Sequence, residues 1–473
     1  MNRKITAVLT LAAVVSVPLI AIAQVAKPTG TFAFLSRADS CADGSSSCFL
    51  TSPQDATQAV NSLRQIGVTD FLLPSSTLAE MQTIGAAVQA QNLRFYTYER
   101  WEWEAAKGSC EAYKKDRVDA ELIPLRNQFG GAFAGVQFKD EPGTTEIDSY
   151  RDLRNCLAQV PQLSDLKVFV NLVPLNANAA SLSGSAPKDA DSLDPSAYGV
   201  DCSSNRLISR PLAQAMVDNY SNYARRVAEE IVPDYLAFNF YPVTNQMANC
   251  SAARELVMSE NMAIISLLTR IGGTTSVAYL QNVKVGVSAP RNPEKALRYA
   301  NFHSLRWYAA WFFAFGGDRF SNFLSHDNTK DIGNEFHYGL LNAGNAPGLL
   351  ASDQQSTYGF TSQVASKLDG FTYQGYVAPW LGVPTGGVVG WLPSQEVTIG
   401  EYGVNTDHQA LLFVARRPMV GTVDTVVGLS HWWDKVEMLN FNTGLWELQA
   451  TSTNEINVSL GAFPGALYRL TVN

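Results

Sequence analysis

The chain has 473 residues, 46% of them hydrophobic and 16% charged. That is too apolar for a disordered chain, and the 34 glycines and 21 prolines punctuate it too often for one long helical array. With 35 Lys+Arg against 43 Asp+Glu the net charge is −8, which argues against nucleic acid, whose phosphates need a basic surface, and against a polybasic membrane patch.

In chain order, Arg3 and Lys4 precede an uncharged apolar run from Ile5 to Ile22, and Ala21-Ile22-Ala23 is a small-x-small cleavage site. Residues 1–23 therefore read as a signal peptide, with an uncleaved anchor as the alternative. Removing them leaves 33 basic against 43 acidic side chains, a net charge of −10. No later uncharged stretch is long enough to span a bilayer, so a soluble exported protein without integral membrane contact is expected.

From residue 30, apolar β-rich runs alternate with amphipathic helical stretches. Strands are predicted at Thr31–Leu35, Thr69–Pro74, Leu93–Tyr98, Phe133–Phe138, Lys167–Val173, Tyr235–Tyr241, Val283–Ser288 and Arg319–Leu324. Helices are predicted at Pro53–Ile66, Thr77–Gln91, Glu111–Gln128, Pro211–Val232, Ala252–Ile271 and Pro293–Phe315, where apolar residues recur three and four apart. Short, mostly apolar strands suit a parallel sheet buried on both faces. Eight alternations over residues 24–371 fit a (β/α)₈ TIM barrel. The competing doubly wound sheet would show a Gly-rich loop after its first strand, and none follows Phe34-Leu35.

Near residue 372 helical periodicity gives way to short alternating runs: Val388–Trp391, Val397–Tyr402, Ala410–Ala415, Val423–Leu429, Val436–Phe441, Ile456–Leu460 and Leu467–Val472. Residues 372–473 are expected to form a small antiparallel β-sandwich, serving either packing or carbohydrate binding.

The six cysteines all precede residue 251, an even number that suits an oxidising compartment. Proximity along the chain favours Cys41–Cys48, Cys110–Cys156 and Cys202–Cys250 among the fifteen pairings possible. No CxxC occurs, and His303, His326, His337, His408 and His431 form no HxxxH or HExxH pattern, so no metal site is expected. Neither a Gly-x-Ser-x-Gly elbow nor a phosphate-cradling Gly-x-x-x-x-Gly-Lys motif is present, and no cofactor is expected.

Reacting groups in such a barrel sit where strands end. Strand 3 ends Tyr96-Thr-Tyr-Glu99-Arg-Trp101-Glu102-Trp103-Glu104, and strand 4 ends Val136-Gln-Phe-Lys139-Asp140-Glu141-Pro142-Gly143. Strand 5 ends at Asn171, strand 6 carries Asn239 and Tyr241 on one face, and strand 8 ends Leu324-Ser-His326-Asp327-Asn328. Glycoside cleavage uses this mixture. One carboxylic acid protonates the leaving oxygen and a second carboxylate attacks or activates water. Amides and tyrosines bind hydroxyls, and aromatic faces stack on the ring. Asp140 and Glu99 would raise the pKa of Glu141, while Lys139 and Arg100 would lower it.

Gly135-Val-Gln-Phe-Lys-Asp-Glu-Pro142 resembles the strand-4 motif of clan A glycoside hydrolases, (β/α)₈ enzymes with Asn-Glu-Pro or a variant there. Val170-Asn-Leu-Val-Pro174, residues 233–242 and the aromatic stretch 306–317 resemble secreted barrel proteins near the β-galactosidase-like branch. The resemblance spans about residues 30–345 as short words. It implies a carbohydrate substrate, with Glu141 as general acid/base and Asp140 where the clan has Asn. It also implies a nucleophilic Glu at the end of strand 7, where Val283-Lys-Val-Gly-Val-Ser-Ala-Pro290-Arg-Asn-Pro-Glu294 offers none. The candidates for the second carboxylate are then Asp327 and Glu99, with Glu102 behind them as a hydroxyl ligand. Asp327 would suit an inverting separation of about 6.5–9.5 Å rather than the roughly 5–5.5 Å of retention.

Plainer roles compete. Trp101 and Trp103 either stack on sugar or pack under their loop. Asn239 and Tyr241 either bind substrate or satisfy a polar layer, and His326 fits a hydrogen-bonded supporting role beside substrate. Trp307, Trp311, Phe312 and Phe315 follow helical spacing and belong in a core. The function expected is secreted glycoside hydrolysis, with a non-catalytic glycan-binding protein on the same scaffold as the alternative. Sugar identity and oligomeric state are not legible.

Overall fold

The computed structural model describes residues 30–35, 52–177, 179–184, 199–204, 206–243, 250–281, 284–285, 302–326, 336–337, 339–342, 344–378, 387–392, 396–403 and 408–472. The expected leader, Cys41, Cys48, Glu294 and Asp327 lie outside them.

Eight parallel strands close into a barrel: β1 (Thr31–Phe34), β2 (Val68–Leu72), β3 (Arg94–Tyr98), β4 (Phe133–Gln137), β5 (Lys167–Leu172), β6 (Tyr235–Phe238), β7 (Thr275–Leu280) and β8 (Arg319–Asn322), with β8 returning to β1. One expectation is overturned. The seventh strand is Thr275–Leu280, because the helix Ser251–Gly272 ends at Gly273 in a left-handed cap and the chain turns straight back into the sheet. Lys284–Val285, within the expected strand, pairs antiparallel with Phe336–His337 outside the barrel.

Local chemistry sets the helices. Ser52 accepts from Asp55 N at the start of helix Pro53–Ile66, Pro53 takes the first turn, and Gly67 at φ +109° ends it. Thr77 and Glu80 form a reciprocal capping box on helix Leu78–Ala90. The expected helix 111–128 is a composite of Cys110–Tyr113, a π-helical Lys114–Leu122 and Ile123–Phe129. Disulfides join Cys110 to Cys156 and Cys202 to Cys250, bonds that suit an oxidising compartment. Among the described residues no helix is long and apolar enough to cross a membrane.

Alternation sorts each strand's side chains. Val168, Val170 and Leu172 of β5 join the core under the helices, while Phe169 meets Phe32, Tyr96, Ala237 and Val277 inside the barrel. Below that layer Asp70 accepts from Arg319 (2.6 Å), Arg94 (3.0 Å) and Tyr96 (3.1 Å), which closes the bottom of the barrel with paired charge.

After helix Ala351–Leu368 come β9 (Tyr373–Val377), β10 (Val389–Trp391), β11 (Val397–Tyr402), β12 (Gln409–Arg416), β13 (Val423–Leu439), β14 (Trp446–Leu460) and β15 (Gly465–Thr471), all antiparallel. The two runs expected at 423–429 and 436–441 belong to one strand. Its register shifts between Gly428 and Trp433, and its first half pairs β10 while its second pairs β15. That shift folds the sheet over a core containing Val397, Leu412, Val427, Trp433 and Leu470. Helix Phe302–Ala314 mortars this sandwich to the barrel. The indoles of Trp307 and Trp311 donate to the carbonyls of Arg417 (3.0 Å) and Arg416 (2.8 Å), with both rings fully buried. Gly400 allows the contact, since a Cβ there would come within 2.5 Å of the Ala314 carbonyl oxygen.

Candidate active site

β4 runs on into a loop whose backbone is held at Glu141, Pro142 and Gly143. The Glu141 amide donates to the Asn171 carbonyl (2.9 Å), and the Pro142 carbonyl accepts from the Tyr223 hydroxyl (2.8 Å). That hydroxyl also accepts from the Val173 amide (3.3 Å), so one buried tyrosine ties this loop to the end of β5. Gly143 N donates to Glu146 (2.8 Å), whose carboxylate also pairs with Lys139. Gly143 packs so closely on the next loop that a Cβ would lie 2.4 Å from Gly184 N. Glu141 itself has φ +54°, a left-handed conformation that costs a residue with a Cβ on the order of 1 kcal/mol and persists only where surroundings impose it.

Around this reversed residue the rim gathers amides and phenols. Asn239 Nδ2 donates to Glu141 Oε1 (2.5 Å), and Asn171 Nδ2 donates to Asp140 Oδ1 (2.6 Å). Asp140, Glu141, Asn239 and Tyr241 are half-buried, and Asn171 is buried. Burial raises the Tyr241 and Tyr279 phenols above their ordinary range, and the charges of Asp140 and Glu141 push both further, so carboxylates and phenols share one space. Gln137 Oε1, Asn171 Oδ1, Asn239 Oδ1 and the Tyr241 hydroxyl are buried with no hydrogen-bond partner among the described residues. Orphaned polar atoms cost free energy when buried, and these four leave hydrogen-bonding capacity unmet at the barrel's rim.

Other expected residues stand elsewhere. Glu99 is fully buried on the outward face of β3's end. Both carboxylate oxygens face Arg117 (2.9 Å each), and Thr97 (2.5 Å) and Tyr113 (2.8 Å) complete its shell. Burial pushes its pKa up, but Arg117 and these hydrogen bonds outweigh it and hold the carboxyl below its usual range. It is not drawn into the mouth as a partner for Glu141, because an odd step along β3 turns it towards the helices. Glu102 sits nearby on helix Arg100–Ala105, its pKa raised by burial and by Glu99. Trp103 is core, edge-on to Tyr113 and donating to Ser149 Oγ (2.8 Å), which removes it as a sugar platform. Trp101 is 50% exposed, with the Arg100 guanidinium 4.1 Å from its ring centroid. His326 is buried between Ser325 Oγ and Asn345 Oδ1, both at 2.9 Å, and burial lowers its pKa to about 4, so it is a neutral supporting group without an open face for substrate.

Relocating β7 exposes residues that pattern reading missed. Its inward face carries Val277 and Tyr279, and Gln281 follows at its end. Gln281 clamps Val243 through Oε1 to the amide and Nε2 to the carbonyl, both 2.9 Å. The unbroken apolar run Val277-Ala-Tyr-Leu280 ahead of Gln281 was the available signal. Tyr223 had none, since it reads as an ordinary apolar position of an amphipathic helix.

No family model and no curated protein matches the sequence. Solved structures match the fold. A cycloisomaltooligosaccharide glucanotransferase from Paenibacillus sp., complexed with cycloisomaltoheptaose, superposes with a TM-score of 0.51 at 8% identity, covering 93% of this chain and 85% of its own. The GH51 α-L-arabinofuranosidase of Thermotoga petrophila gives 0.43 at 10% identity over 94% of this chain and 98% of its own. The GH51 arabinofuranosidase of Xanthomonas axonopodis pv. citri gives 0.40 at 10% identity, over 95% and 97%. At such identities the likeness is one of fold alone.

Proposed function

We propose that this protein is an exported glycoside hydrolase in which Glu141 is the proton donor to the leaving glycosidic oxygen. The observation that carries this reading is Glu141's left-handed backbone at the end of β4, with Asn239 on one carboxyl oxygen and unpartnered polar atoms around it. A fixed acid among groups that lack partners is arranged to meet a polyhydroxylated substrate, and the barrel's strand ends are where such chemistry sits. Asn171, Asn239 and Tyr241 bind hydroxyls in this reading, and Trp101 offers a partly exposed ring at the margin. The second carboxylate is Asp140 or Asp327. The test is turnover of a panel of polysaccharides and aryl glycosides by the wild type and by Glu141→Gln, Asp140→Asn and Asp327→Asn. Full activity in Glu141→Gln would reject the role given to Glu141.

One observation favours a second reading. The residue at the end of β7 is the neutral amide Gln281, engaged with Val243, where the clan resemblance implies a nucleophilic Glu. A barrel that binds glycans without cleaving them would show saturable binding and no product on the same panel.

A further inference from the structure

The C-terminal sandwich has an open end of its own, away from β4. There the β11 and β15 ends, the start of β12, the segment before β10 and the bend in β13 surround a cavity of about 570 Å³. That volume falls in the range of roughly 300–1,000 Å³ typical of small-molecule sites.

Its lining is unusual for the end of a packing module. Glu401 is 4% exposed, with one carboxylate oxygen accepting from Val389 N (2.9 Å) and the other from Val388 N (3.0 Å). Trp433 is 2% exposed, and its indole Nε1 is buried with no hydrogen-bond partner among the described residues. The His431 ring lies against it, centroids 4.5 Å apart and planes 32° from parallel. His408, at φ +53°, and the exposed Ser430 complete the polar side. A module needed only for packing would bury apolar side chains here. Instead it holds a carboxylate anchored by two amides beside an indole donor lacking an acceptor.

We propose that this cavity is a second ligand site, binding a glycosyl unit of a neutral saccharide. The class follows from the lining. The exposed His431 ring suits the apolar face of a sugar, and imidazole, hydroxyl and indole N–H groups meet hydroxyls that donate and accept at once. The negative charge of Glu401 disfavours acidic ligands, and its two amide bonds already answer that charge, so no cation is needed to complete it. The site needs no chemistry in the barrel. It would hold the enzyme on a polymer while the barrel works, or serve a purely binding protein equally well.

The test is isothermal titration of the full-length protein with maltotetraose, cellotetraose, xylotetraose and β-1,4-galactotetraose, repeated with Asn239→Ala to weaken the barrel rim. A site in the sandwich predicts that at least one of these binds with Asn239→Ala unchanged, and that affinity falls at least about tenfold in His431→Ala, an exposed position whose loss leaves the core intact. Trp433→Phe, which keeps a smaller aromatic ring and removes the N–H, should weaken binding as well. An acidic tetragalacturonate should bind at least about tenfold more weakly. Absence of binding by all four neutral sugars, or binding abolished by Asn239→Ala and untouched by His431→Ala, overturns the proposal. Turnover is not read, so failure of the hydrolase reading leaves this result separate.

Discussion

Two neighbouring strands of the barrel each deliver a glutamate to the C-terminal rim, and the protein treats them in opposite ways. Glu99, one residue beyond β3, stands on the outward parity of its strand and is sealed between barrel and helices by Arg117, Tyr113 and Thr97. Glu141, four residues beyond β4, sits where the backbone turns to φ +54°, half-buried beside Asn239. The same side chain on adjacent strands is thus a sealed anchor in one case and a half-buried rim residue in the other. Strand parity and a single reversed residue make the difference, more than any local composition.

That contrast can be broken by substitution. Glu141→Gln should lower turnover of a proven glycoside by about 10²–10⁴-fold with an unchanged melting curve, since it removes an ionisable proton from a rim position. At the other glutamate, Arg117→Met should act on stability instead. It strands Glu99 as a buried charge and should cost about 3–5 kcal/mol in denaturant unfolding, leaving activity per folded molecule intact. An unaltered transition midpoint would contradict the anchor role.

Acid should sharpen the same division. The native pKa of Glu99 is depressed, so its stabilisation is full above the unfolded value of about 4.3 and is lost as pH falls through the lower native value. Wild-type stability should therefore drop below about pH 4, and Glu99→Gln should flatten that drop. The smallest effect expected is at Tyr223. Tyr223→Phe leaves the Pro142 carbonyl and Val173 amide without their bridge and should cost about 1–3 kcal/mol, with a fall in kcat exceeding any change in KM as the Glu141 backbone loosens. Equal effects on both constants would point to substrate binding.

Much of the architecture was legible because periodicity and capping agree. Helix Pro53–Ile66 carries its apolar spacing, its proline and its glycine stop in one stretch. β7 was not, because two β-rich runs follow one another at 275–280 and 283–288, and alternation alone does not say which one the barrel uses. The left-handed Gly273 turn decides it. In the sandwich, the polar and aromatic interruption 430–434 reads as a break, although β13 continues through it with a register shift. The candidate site divides the same way. Asp140-Glu141-Pro142, Asn171, Asn239 and Tyr241 do meet at one rim, but the burial of Trp103 and the turning of Glu99 depend on helix packing that no short motif encodes.

Leaving-group dependence tests proton donation by Glu141 most directly. For kcat/KM of Glu141→Gln relative to wild type, we predict a loss of about 10²–10⁴-fold on a glycoside with a poor alcohol leaving group. On the matching 2,4-dinitrophenyl glycoside, whose leaving group needs no proton, the loss should be below about tenfold. Equal losses on the two substrates, or none on either, would contradict it.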